Sequence, residues 1–294
     1  MSDRAPINPD FNSLLPEVKF SRRGFIASSV ATGFAVSAGP LMAQTMIKTP
    51  IDGLVGGDIK IPTTGGVMPG YYAAPKKPGK FPVILVVGEV WGVHEHIKDV
   101  VRRLAKAGYF AVANEPYWQI GELWKLENIK EVLAGANKLT DEQAFRDLDA
   151  TVAWAAKQPN ANVQKLGITG FCRGGRMVWM YTAHNKNIDA AVAWYGGLSP
   201  APPAITTTPM DITDKLNAPV LGLYGGADQG IPLEQVERLR AGLLAFGKDK
   251  QSTIYVYEGM PHAFNADYRA SYRKEAAEDG WKRMLAWFKK NGVA

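Results

Sequence analysis

The chain has one cysteine, Cys172, and it sits in the segment Gly170-Phe171-Cys172-Arg173-Gly174-Gly175. An apolar run, Lys165–Thr169, leads into that segment, and a helical pattern follows at once. A strand, a sharp turn and a helix are therefore expected, with glycine two positions away on each side of the sulfur. A thiol at a helix start is placed where the helix end favours negative charge, which suits a nucleophile. Further along, the apolar run Pro219–Tyr224 ends in Gly225-Gly226-Ala227-Asp228, and Thr253–Tyr257 leads through Gly259 and Pro261 to His262. Nucleophile, acid and base fall in that order, each just beyond the end of a strand. His262 is then the base for the thiol, and Asp228 the group that fixes its tautomer. Glu258 is a second possible acid, ranked below Asp228 because it lies so close to His262 in sequence. Read singly, each residue has a plainer role: an inert buried cysteine, a helix N-cap and a hydrogen-bonded loop histidine.

These residues need a scaffold that brings strand ends together. From Phe81 onward, short apolar runs alternate with helical periods, as in parallel βαβ units. The expected strands are Pro82–Val87, Phe110–Asn114, Lys165–Thr169, Ala190–Trp194, Pro219–Tyr224 and Thr253–Tyr257. Most are continuous apolar runs, as strands covered on both faces should be. Between them, Ile97, Val100, Val101, Leu104 and Ala105 form one helical face that Gly108 ends, and Thr140-Asp141-Glu142-Gln143 reads as a capping box. The Gly- and Pro-rich region from Gln44 to Lys80 is expected to add short edge strands. The fold class is α/β, a mostly parallel central sheet with helices on both faces, forming one domain over 44–294.

Composition bounds the alternatives. A chain of 294 residues, 46% hydrophobic and 21% charged, can bury a sizeable core. The net charge of +6 is scattered, with no basic stripe, so nucleic acid is not an expected partner. One cysteine permits no intramolecular disulfide. Near the start, Ser21-Arg22-Arg23-Gly24-Phe25-Ile26 precedes a small-residue apolar stretch ending at Met42-Ala43-Gln44. This resembles a twin-arginine signal peptide over residues 1–43, and the stretch is too interrupted by polar residues to span a bilayer. The expectations are engagement of the twin-arginine export machinery, a periplasmic or secreted mature chain, and no stable membrane insertion after processing.

The matched segments extend beyond the three chemical residues. Val86-Val-Gly-Glu-Val-Trp-Gly92, Leu104 to Val112, Gly170 to Gly175, Tyr195-Gly-Gly197, Tyr224 to Asp228 and Pro261-His-Ala-Phe264 together resemble the dienelactone hydrolase (carboxymethylenebutenolidase) family of α/β-hydrolases. The resemblance implies attack of the Cys172 thiolate on an ester or lactone carbonyl and hydrolysis of the resulting acyl-enzyme. It implies that Glu89 helps generate the thiolate, and that the backbone N–H groups of Val90 and Arg173 form the oxyanion hole. Trp91 and Tyr195 are expected to line the substrate pocket. No metal or cofactor is implied, and His94 and His96 are not expected to form a metal site. Family members that act on dienelactone hold the substrate carboxylate with two arginines; the aligned positions here are Gln119 and Ala266. An amide and a methyl cannot replace a guanidinium fork, so Arg269, Arg173 or Arg176 would have to substitute. The remaining alternatives are a general carboxylesterase or thioesterase on the same fold, and a binding protein without turnover. A monomer is expected.

Overall fold

The computed structural model describes residues 45–200 and 205–294. The proposed signal segment, 1–43, lies outside the described residues. Eight strands form one sheet in the order β1-β2-β4-β3-β5-β6-β7-β8. They are β1 (Leu54–Thr63), β2 (Gly66–Pro75), β3 (Phe81–Val87), β4 (Phe110–Asn114), β5 (Ala161–Phe171), β6 (Ala190–Trp194), β7 (Val220–Gly225) and β8 (Thr253–Tyr257). From β4 to β8 every neighbouring pair is parallel, whereas β1 and β2 form an antiparallel hairpin at one edge. Every residue of β3, β4, β6 and β7 is buried, the pattern of strands covered by helices on both faces.

The six strands expected from the apolar runs are all present, displaced by a few residues at their ends. The amino-terminal region differs: it builds two ten-residue strands rather than short edge pieces. Glycines and prolines obscure the alternation there, yet β1 still turns Leu54 and Ile61 inward and leaves most of its other residues toward solvent.

Helices α1 (Glu95–Lys106), α2 (Ile129–Ala136), α3 (Asp141–Ala155), α4 (Arg173–His184), α5 (Leu233–Ala245) and α6 (Lys274–Lys290) fill the connections. In α1 the expected stripe of Ile97, Val100, Val101, Leu104 and Ala105 is buried, each large apolar side chain contributing roughly 1.5–3 kcal/mol. At the start of α3, Thr140 Oγ1 accepts the Gln143 N–H at 3.2 Å. The Gln143 amide does not complete the expected box. It donates to Asp147 at 3.0 Å, where Asp147 also accepts the Trp118 indole N–H. Among the described residues, no helix is long and apolar enough to cross a membrane.

Strand register decides where the chemistry sits. Val87 pairs with Gly170, Phe171 with Trp194, Trp194 with Leu223, and Gly225 with Tyr257. The carboxyl ends of β3, β5, β6, β7 and β8 therefore form one row, and Glu89, Cys172, Tyr195, Asp228 and His262 all follow it.

Candidate active site

Cys172 occupies the turn between β5 and α4 with φ +54° and ψ −116°, a conformation that side-chain-bearing residues rarely adopt. Its N–H donates to the Trp194 carbonyl at 3.0 Å, and its carbonyl accepts the Arg176 N–H at 3.1 Å. The flanking glycines are there because the backbones nearly touch. A Cβ at Gly170 would lie 2.4 Å from the Gly174 oxygen, and one at Gly174 would lie 2.2 Å from the Val87 oxygen. Close packing of Gly174 on β3 also sets the first turn of α4 against the loop carrying Glu89 and Val90.

Among the described residues, the non-glycine positions with positive φ are Cys172, Tyr195 and Ala263. All three belong to this row of strand ends. Such backbone strain must be held by its surroundings, and it concentrates at functional sites.

Asp228 performs two tasks. Its Oδ1 accepts the Gly230 and Ile231 N–H groups at 2.9 and 3.2 Å, which locks the turn, and its Oδ2 meets His262 Nδ1 at 2.6 Å. The N-cap-like role and the histidine-partner role are thus both satisfied. His262 Nε2 is buried and makes no other hydrogen bond of good geometry, and its ring packs 5.0 Å from that of Tyr195. Burial alone would lower the His262 pKa, but Asp228 and the neighbouring Cys172 overcome it and raise it to about 10. Because the ordinary value is 6.5, the stability this gives is complete below pH 6.5 and is lost as pH rises toward 10. The denaturation midpoint of the wild-type chain is expected to fall over that window more steeply than that of His262→Gln. Equal slopes would contradict the assignment.

Glu89 is fully buried. Its Oε2 accepts the Tyr268 hydroxyl at 2.5 Å and lies 3.4 Å from His94 Nε2. Burial would raise its pKa, yet the His94 contact and the charges of His94, His96 and Arg269 hold it well below the usual carboxylate range. Burial draws His94 itself below its ordinary value, against the opposing contact and charge of Glu89. The Arg269 guanidinium lies 5.7 Å from the Trp91 ring centroid, and its charge also reaches Tyr195 and Tyr268. The Tyr195 hydroxyl is buried without a hydrogen-bond partner, and burial together with Glu89 and Cys172 raises its pKa well above the ordinary value. An unsatisfied hydroxyl beside a thiol and a carboxylate is a donor available to a ligand.

The fold therefore gathers Cys172, His262, Asp228, Glu89, Trp91, Tyr195 and Arg269, with Val90 and Arg173 on the adjoining backbone. Gln119 is the exception: the fold does not bring its side chain into this group. It is exposed and lines a surface cleft with Thr63, Gly65 and Arg146, because the loop after β4 turns its side chain toward the β1–β2 hairpin. Tyr117, two positions earlier, is the residue of that loop that points inward, donating its hydroxyl to the Glu89 carbonyl at 3.4 Å. Neither Arg173 nor Arg176 replaces the missing arginines. Arg173 donates to Asn137 Oδ1 and to the Ala136 carbonyl at the end of α2, and Arg176 forks onto Asp141 at 2.6 and 2.8 Å. His94 and His96 face Glu89 and Asp267 respectively, and no group of three or more metal-ligating side chains occurs among the described residues.

Tyr268, Tyr117 and His94 were not singled out as site residues by sequence. Tyr268 and Tyr117 lie in loops without periodicity, so only their proximity to matched segments could have pointed to them.

A model of the dienelactone hydrolase family matches residues 68–292. A relative from Methylorubrum extorquens, provisionally named carboxymethylenebutenolidase, is 50% identical over 287 residues, covering 97% of this chain and 98% of the relative. One from Escherichia coli K12 with the same provisional name is 47% identical over 270 residues, covering 91% and 98%. A crystal structure from Klebsiella pneumoniae, provisionally titled a dienelactone hydrolase, superposes with a TM-score of 0.77 at 46% identity, covering 81% of this chain and 99% of that one.

Proposed function

The chain belongs to the dienelactone hydrolase family, hydrolases of ester and lactone bonds, and from that premise we propose that it works through a Cys172 acyl-enzyme. One observation carries the reading: the strained Cys172 turn stands in register beside a His262–Asp228 pair joined at 2.6 Å. The thiolate attacks the carbonyl of a small-molecule ester or lactone, and the carbonyl oxygen becomes an oxyanion beside the Val90 and Arg173 N–H groups. Collapse expels the alkoxide, which takes a proton from the His262 imidazolium. Water, deprotonated by the now neutral His262, then cleaves the thioester. Glu89 supports thiolate formation as substrate arrives, and the Arg269 charge acts on Glu89.

A broader carboxylesterase role is favoured by one feature. The positions where dienelactone-acting members carry arginines are an exposed Gln119 and a buried Ala266. Arg269 is the remaining candidate to recognise a substrate carboxylate. A panel of p-nitrophenyl esters and dienelactones, neutral and anionic, separates the two readings. If Arg269 recognises a carboxylate, Arg269→Gln raises KM for anionic substrates by about tenfold and leaves neutral ones within about twofold. Equal effects on both sets would assign the chain to the broader class.

The Arg22-Arg23 segment, with the small-residue stretch up to Ala43, supports export by the twin-arginine route and cleavage after Ala43, leaving a periplasmic or secreted chain. Cell fractionation tests this: full-length chain confined to the cytoplasm would refute export.

A further inference from the structure

Glu115 follows β4, and its two carboxylate oxygens serve two different loops. Oε2 accepts the Val93 N–H at 2.8 Å, and Oε1 accepts the Tyr117 N–H at 3.1 Å. The first of these loops carries Glu89, Val90 and Trp91 and is closed by the Gly92 N–H donating to the Glu89 carbonyl at 3.2 Å. The second delivers the Tyr117 hydroxyl to that same carbonyl at 3.4 Å. Gly92 has φ +77°, and a Cβ there would lie 2.1 Å from Glu115 Oε1, so the glycine makes room for the carboxylate. The Glu115 N–H is itself fastened to the Pro69 carbonyl of β2 at 2.9 Å. Glu115 thus ties the Glu89–Val93 turn to the loop after β4 through its side chain, and is itself held to the hairpin through its backbone.

We infer that Glu115 is a positioning residue that holds the Glu89–Val93 turn so that the Val90 N–H stays aimed at the oxyanion formed when Cys172 attacks. This rests on the acyl-enzyme reading above. The groups facing Glu115 make the clamp sensitive to pH. Burial raises its pKa, the Val93 and Tyr117 N–H groups oppose that, Glu122 adds to it and Lys98 opposes it, leaving it at about 7. Protonation puts an O–H where an N–H needs an acceptor, so the turn loosens as pH falls through that value.

The test compares ester hydrolysis with alkylation of Cys172 by iodoacetamide in the purified full-length protein. Alkylation needs the thiolate but no oxyanion hole, so a Val90 N–H out of place slows hydrolysis alone, whereas displacement of Glu89 on the same turn would slow both. Glu115→Gln mimics the protonated side chain at every pH. It is expected to lower kcat about ten- to hundredfold, short of losing an oxyanion donor outright, with KM within about threefold and alkylation retained. The acid limb of kcat near pH 7 should disappear in this variant. Gly92→Ala, which displaces the carboxylate from the other side, should give the same division between hydrolysis and alkylation. Unchanged hydrolysis in both variants overturns the inference, as does a parallel fall of hydrolysis and alkylation. Cys172→Ala, run alongside, keeps the failures apart: full activity there would sink the acyl-enzyme reading itself.

Discussion

Replacing Cys172 with alanine is expected to lower kcat/KM for every hydrolysed ester by about 10⁴-fold or more, because it removes the atom that bonds to the acyl group. What remains would be binding and backbone donors acting on water. Cys172→Ser is the more informative companion. A serine needs a base to take its proton, whereas Asp228 and Cys172 raise the His262 pKa to about 10 and so favour its protonated form. Part of that shift comes from Cys172 and leaves with it, but Asp228 remains, so the serine variant should still fall by about 10²-fold or more. A serine variant as fast as the wild type would mean that the site runs as an ordinary neutral charge-transfer triad.

Asp228→Asn is expected to cost about 10³- to 10⁴-fold in kcat. The carboxylate gives one oxygen to His262 Nδ1 and the other to the Gly230 and Ile231 N–H groups. An asparagine cannot accept on both sides: its NH₂ must face either the turn or the imidazole. If it faces the imidazole, His262 adopts the wrong tautomer; if it faces the turn, two N–H groups lose their acceptor. Either arrangement removes the counter-charge that keeps the imidazolium beside the thiolate, so Cys172 alkylation at neutral pH should slow as well. A variant with normal alkylation and only a lower thermal midpoint would reduce Asp228 to a turn-forming residue.

The order of Cys172, Asp228 and His262 was legible in the sequence because each follows a strand: Cys172 and Asp228 follow runs that are buried and apolar, and His262 follows the half-exposed edge strand β8, still rich in β-branched and aromatic residues. Glycine did the rest, since Gly170 and Gly174 mark a turn that a larger residue would block. Where burial is one-sided the signal weakened. The β1–β2 hairpin, rich in Gly and Pro, turned out as two long strands where short edge pieces were expected. Loops were least legible. Nothing periodic distinguishes the inward Tyr117 from the outward Gln119, and alignment to a family position does not show which way either side chain points. The environment of Glu89 was hidden for the same reason: Tyr268 reaches it from 179 residues away along the chain. Gln143 shows a local rule giving way to a tertiary partner, its amide spent on Asp147 instead of the helix end.

The central claim is that a covalent bond forms at Cys172 during turnover. Intact-mass measurement within the first turnovers of a slowly deacylating p-nitrophenyl ester tests it most directly. The expected result is a stoichiometric acyl adduct that maps to Cys172, is released by hydroxylamine, and is absent from Cys172→Ala. Turnover with no adduct, or an adduct on any other residue, would contradict it.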